Sequence, residues 1–104
     1  MTEQLRARLE QETKSAPIVL YMKGNALFPR CGFSATALQV LQKHGQVRTI
    51  DVLAEPEVRE AIKEFTQWPT IPQVFIHGKF VGGCDIIREM DERGELAELV
   101  AKGA

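Results

Sequence analysis

Gln73-Val74-Phe75-Ile76-His77-Gly78-Lys79-Phe80-Val81 carries two short apolar runs on either side of a His-Gly-Lys turn. That pattern predicts a β-hairpin, so the sheet ends antiparallel. Upstream, Ile18-Val19-Leu20-Tyr21-Met22 is introduced by Pro17, stopped by Gly24 and apolar on both faces, as a strand buried between helix layers should be. Phe33, Ala37, Leu38 and Leu41 then fall at helical spacing, with Gly45 as the stop, before a further strand over Val47 to Val52. Strand, helix and strand over so short a distance form a βαβ unit whose strands run parallel.

Helices fill the remainder. One runs from Glu3 to Lys14 behind Thr2 as its cap, with Leu5, Leu9 and an Arg6/Glu10 pair. Another starts at Pro56, carries Val58, Ala61, Ile62 and Phe65, and is ended by Pro69. Asp85 caps a helix to Arg93, and Glu95 to Lys102 supplies the last. The order α, β, α, β, α, β, β, α, α sets a βαβ half and a ββα half around one small mixed sheet. The expectation is therefore an α/β, thioredoxin-like fold: four strands flanked by helices, with an extra N-terminal helix.

The 104 residues, 44% hydrophobic and 26% charged with a net charge of -1, predict one soluble globular domain over 1–104 and exclude a two-domain enzyme. The longest apolar run, Ala16 to Met22, has seven residues, far short of the roughly 20 that span a bilayer, so no membrane anchor is expected. Met1 to Ser15 lacks an apolar h-region and mixes Glu3, Glu10 and Glu12 with Arg6 and Arg8, which fits neither a secretory signal nor a transit peptide. The expected setting is cytoplasmic. Two widely spaced cysteines make no disulfide framework. Thr13 to Ile50 carries five basic residues and no acid, leaving -6 on the rest of the chain. This basic stretch lacks the aromatic interleaving of a nucleic-acid surface, so no nucleic acid is expected as a partner.

Cys31 lies in that basic stretch, at the loop-to-helix junction Pro29-Arg30-Cys31-Gly32-Phe33-Ser34. Unpaired N-H groups and the positive end of the helix dipole favour a thiolate there, and Lys23 and Arg30 push the same way. A thiolate in that place is a nucleophile and a soft metal ligand, and both uses are open. The plainer alternative is a buried cysteine acting as a small hydrophobe. In a Cys-X-X-Cys redox motif the second thiol resolves the first, but Ser34 stands in that fourth place, so Cys31 needs an outside thiol. The Ser34 hydroxyl is expected to satisfy backbone groups. His44 and His77 are assigned to no site.

Cys31-Gly32-Phe33-Ser34, with Lys23-Gly24 upstream and Trp68-Pro69-Thr70-Ile71-Pro72-Gln73 and Gly82-Gly83-Cys84-Asp85 downstream, resembles a monothiol glutaredoxin of the CGFS class. The resemblance covers nearly the whole chain. Asn25-Ala26 departs from it, standing where that class often has a Thr-Pro pair. The resemblance implies a glutathione site formed by Lys23, Phe33, Arg59, Thr70, Ile71, Pro72, Gly83, Cys84 and Asp85. In it Lys23 and Arg59 would pair with the glycyl carboxylate, a task suited to the planar fork of arginine. A cis Ile71-Pro72 bond would present the Ile71 backbone, Trp68 would wall the site, and Gly83 with Asp85 would receive the γ-glutamyl end. Cys84 reads first as a partly buried structural thiol and, as the lesser alternative, as a resolving thiol that approaches Cys31 in the fold.

Two functions follow from different classes. The first is binding and transfer of a 2Fe-2S cluster with Cys31 as the metal ligand. Such a cluster takes four terminal ligands, so one Cys31 from each of two chains plus two glutathione thiols completes the set, as the resemblance also implies. A cluster-bound homodimer, a BolA-like protein and iron-sulfur client apoproteins are the implied partners. The second is thiol-disulfide exchange: Cys31 takes glutathione from a glutathionylated protein and a second glutathione resolves the mixed disulfide.

Overall fold

The computed structural model describes residues 1–102; positions 103 and 104 of the expected domain lie outside them. The elements are α1 (Glu3–Glu12), β1 (Ile18–Met22), α2 (Gly32–Gln42), β2 (Arg48–Asp51), α3 (Pro56–Thr66), β3 (Gln73–Ile76), β4 (Lys79–Gly82), α4 (Cys84–Glu92) and α5 (Glu95–Lys102). The four strands lie in the order β2-β1-β3-β4. β1 runs parallel to β2, with Tyr21 opposite Ile50, and antiparallel to β3, with Ile18 opposite Ile76. The thioredoxin-like arrangement expected from the element order is present.

Period-two alternation along β1 divides the core. Ile18, Leu20 and Met22 point to one face and pack with Leu38, Leu41, Ile87 and Leu96 from α2, α4 and α5. Val19 and Tyr21 point to the other and pack with Leu9, Val58 and Ile62 from α1 and α3. All five strand residues are buried, which is why the segment reads as a continuous apolar run. Each such side chain contributes about 1.5–3 kcal/mol through burial. The sheet is thus fixed between two helix layers, and the loops at the C-terminal end of β1 are carried on a rigid base.

Several boundaries differ from expectation. α1 stops at Glu12, two residues early, because Thr13 closes the helix and its hydroxyl turns back to the Glu10 carbonyl. Its cap is as expected: the Thr2 hydroxyl accepts from the Leu5 amide. The ion pair on this helix is not Arg6/Glu10 but runs through Arg8, which bonds Glu55 at 2.7 Å and Glu12 at 3.4 Å. α3 ends before Pro69, at Thr66, where Gln67 turns left-handed (φ 58°). Lys79 belongs to β4 and not to the turn; His77 and Gly78, with φ of 51° and 80°, make a two-residue turn of the handedness that matches strand twist. Asp85 does not cap α4. The helix starts at Cys84 with Gly83 at the cap position, so Asp85 sits in the first turn, where its charge still complements the dipole.

Candidate functional site

β1 ends at Met22, and the chain folds over itself before entering α2. The Arg30 amide donates to the Lys23 carbonyl and the Asn25 amide to the Phe28 carbonyl. Asn25 closes the loop with its side chain, its Oδ1 accepting from the amides of Leu27 (3.0 Å) and Phe28 (2.8 Å). The loop that departs from the family's Thr-Pro pair is therefore fastened by another device. Gly24 has φ +88°, and a Cβ there would lie 2.5 Å from the Phe28 carbonyl oxygen, so the fold admits only glycine.

This loop delivers Cys31 to the N-cap of α2, in extended conformation. Its thiol is half-buried and held below the ordinary cysteine range, first by the Ser34 amide, then by the Phe33 amide, the Lys23 charge and the Ser34 hydroxyl. Lys23 acts on the thiol as expected, whereas Arg30 is exposed and does not figure among these influences. Ser34 is fully buried and its hydroxyl accepts from the Lys23 amide at 3.1 Å, a backbone-satisfying role as read from the sequence.

Cys31 opens onto a cavity of about 450 Å³. Lys23 enters it from the end of β1, Phe33 from the first turn of α2, and Arg59 from α3. Thr70, Ile71 and Pro72 form the wall ahead of β3, and Cys84 and Asp85 close it from the start of α4. The Ile71-Pro72 peptide bond is cis. Gly83 lies directly behind, where a Cβ would stand 3.3 Å from the Pro72 carbonyl oxygen. Burial pushes the Cys84 thiol up, with the Asp85 carboxylate adding to the effect, so the two free thiols facing the cavity are shifted in opposite directions.

Trp68 does not line this cavity directly: it packs edge-on against Phe80 at 5.7 Å and stands behind Gly83, its Nε1 3.6 Å from where a Cβ there would lie. Lys63 and Pro69 line the cavity although neither was singled out as a site residue. Lys63 follows Arg59 by four positions, so the helical repeat alone puts both cations on one face. The Arg59 Nε is buried and has no hydrogen-bond partner among the described residues. Gln73, fully buried, holds the wall in place by donating to the carbonyls of Trp68 (2.9 Å) and Thr70 (3.1 Å).

Among the described residues no three His, Cys, Asp or Glu side chains converge as a metal cluster would require. The arrangement supplies one thiol biased toward its thiolate, cations for carboxylates and a helix N-terminus beside an acid. The glutaredoxin family model matches residues 18–81. Mitochondrial monothiol glutaredoxin-5 of Saccharomyces cerevisiae is 44% identical over 96% of this chain and 69% of its own length. Reduced apo GrxS14 from poplar has the same fold with a TM-score of 0.83, at 41% identity over 94% of this chain and 91% of that one. A buckwheat glutaredoxin solved as its glutathione complex superposes with a TM-score of 0.82, at 28% identity over 98% of this chain and 94% of that one.

Proposed function

Because this chain belongs to the glutaredoxin family, among its monothiol members, we propose that it binds glutathione in the cavity beside Cys31 and serves in iron-sulfur cluster assembly, storage and transfer. In this reading the cargo is a 2Fe-2S cluster bridging two subunits. The observation that carries it is the combination of a single thiol biased toward its thiolate with three cations, Lys23, Arg59 and Lys63, lining the same cavity. Glutathione brings the complement: carboxylates for the cations, an amine for Asp85, and a thiol to stand beside Cys31. The related buckwheat protein, solved with glutathione, supports this ligand.

The donor set fits a shared cluster. Cys31 supplies a thiolate, and Cys84, buried and pushed toward its neutral form, is poorly disposed to supply another. Four terminal ligands are then met by two chains and two glutathione thiols. Leu27 and Phe28, 84% and 67% exposed on the thiol loop, offer apolar surface to a second subunit, a BolA-like protein or a client apoprotein. Two free thiols suit a reducing compartment, which we read as the cytoplasm. Anaerobic reconstitution with iron, sulfide and reductant, with and without glutathione, tests the reading. A glutathione-dependent chromophore on a dimer is expected; a colourless monomer in both cases would contradict it.

A second reading is favoured by the opening of the half-buried Cys31 thiol onto the cavity: protein deglutathionylation. The thiolate attacks the glutathione sulfur of a protein-glutathione disulfide, releasing the protein thiolate. A second glutathione, as thiolate, then attacks the mixed disulfide, forming oxidised glutathione and restoring Cys31. Turnover of a glutathionylated protein, lost in Cys31→Ser, is its test.

A further inference from the structure

The residues between β1 and the thiol loop are held by an acceptor outside the loop itself. The Met22 carbonyl accepts from the Val52 amide at 2.9 Å, extending the pairing of β1 with β2. One residue further the Lys23 amide is taken by Ser34, and next the Gly24 amide donates to Asp51 Oδ1 at 3.0 Å. The same oxygen accepts from the Leu53 amide at 2.9 Å, a local turn at the end of β2. Asp51 therefore joins two loops: its own and the one that carries Lys23. Its carboxylate is in no ion pair among the described residues and is not among the charges that act on Cys31. Whatever it does for the site goes through geometry.

We infer that Asp51 is a positioning residue for the thiol site: by fixing the Gly24 amide it sets how Lys23 leaves β1 and keeps that side chain at the cavity beside Cys31. The inference rests on the glutathione-binding reading, in which Lys23 pairs with a ligand carboxylate. An acceptor oxygen in this place is enough, and its charge is not required. Asparagine offers the same oxygen without the charge, whereas glutamate keeps the charge and moves the oxygen by one methylene.

The test is the glutathione dissociation constant, measured by calorimetry for the wild type, D51A, D51N and D51E, each with Lys23 present and in the K23A background, with thermal melts alongside. D51A and D51E are expected to weaken binding about fivefold, the scale of one lost hydrogen bond, and D51N to stay within about twofold of wild type. In the K23A background D51A and D51E are expected to cost nothing more, because the group they position is gone. Equal losses in both backgrounds would overturn the inference, as would D51N binding as weakly as D51A, or folded D51A at wild-type affinity. If D51A fails to fold, D51E carries the same comparison. A wild type that binds no glutathione overturns the binding reading itself; binding that K23A weakens and D51E leaves unchanged overturns only the role of Asp51.

Discussion

The Ser34 hydroxyl accepts from the Lys23 amide at 3.1 Å, and it is one of the groups that hold the Cys31 thiol below its ordinary range. One buried hydroxyl thus ties the cation, the nucleophile and the first turn of α2 together. Replacing the second thiol of a redox pair by serine removes a resolving group and supplies this tie in its place. Ser34→Ala is expected to destabilise the fold by about 1–3 kcal/mol, because the Lys23 amide loses its acceptor in a part-buried site. It should also slow Cys31 alkylation. Chemical denaturation and the rate with iodoacetamide check the two effects separately.

The opposite shifts of the two thiols predict selective alkylation. The Cys31 thiol is held below the ordinary range and Cys84 above it, so as pH rises Cys31 becomes thiolate first. Brief iodoacetamide treatment of the native protein near neutrality should add one label, located at Cys31 by peptide mass spectrometry. Label at Cys84 first would contradict the assignment.

Ligand assignment separates the same pair. Cys31→Ser should abolish glutathione-dependent cluster binding, and Cys84→Ser should largely preserve it, read as visible absorption after reconstitution. Equal loss in both would overturn Cys31 as the single protein ligand.

Arg59 lines the cavity from α3 and brings a cation to it. Arg59→Ala should weaken glutathione binding roughly tenfold, as expected for a lost charge-assisted hydrogen bond, and Lys23→Ala should also weaken it. Calorimetry measures both. Unchanged affinity would return these cations to the solvated surface.

Far from the site, Asp91 accepts from Lys43 and His44, which hold its carboxyl below the ordinary range and link the end of α2 to α4. A depressed carboxyl pKa contributes stability that is present above its unfolded value and lost as pH falls through the folded one. Stability of the wild type should therefore fall more steeply with acid than that of Asp91→Asn, measured as denaturation midpoints across the acid range.

Much of the fold was legible because β1 is buried on both faces and writes that into its composition, while the hairpin carries its glycine turn in plain view. The cap of α4 was not legible: Asp85 is a good capping residue, and only the extended backbone of Gly83 moves the helix start ahead of it. In the site, local signals pointed to Cys31, and the motif resemblance pointed to most of the wall. Asp51 was not legible as a support, because the Gly24 amide it holds is distant in sequence and meets it only once the chain has folded; the partners of Gln73 are close in sequence, at Trp68 and Thr70, but its side chain reaches them only because the segment turns back on itself ahead of β3. Lys63 could have been found from its spacing to Arg59. That Trp68 stands behind the Gly83 wall and not at the cavity surface was not legible, because a motif fixes order along the chain and not the direction of a side chain.

The central claim is that one Cys31 from each of two chains and two glutathione molecules hold one cluster. Native mass spectrometry of the anaerobically reconstituted protein tests it most directly. The account predicts a species whose mass equals two chains, one 2Fe-2S cluster and two glutathiones, absent when glutathione is withheld and absent in Cys31→Ser. A cluster-bearing species formed without glutathione, or retained by Cys31→Ser, would contradict it.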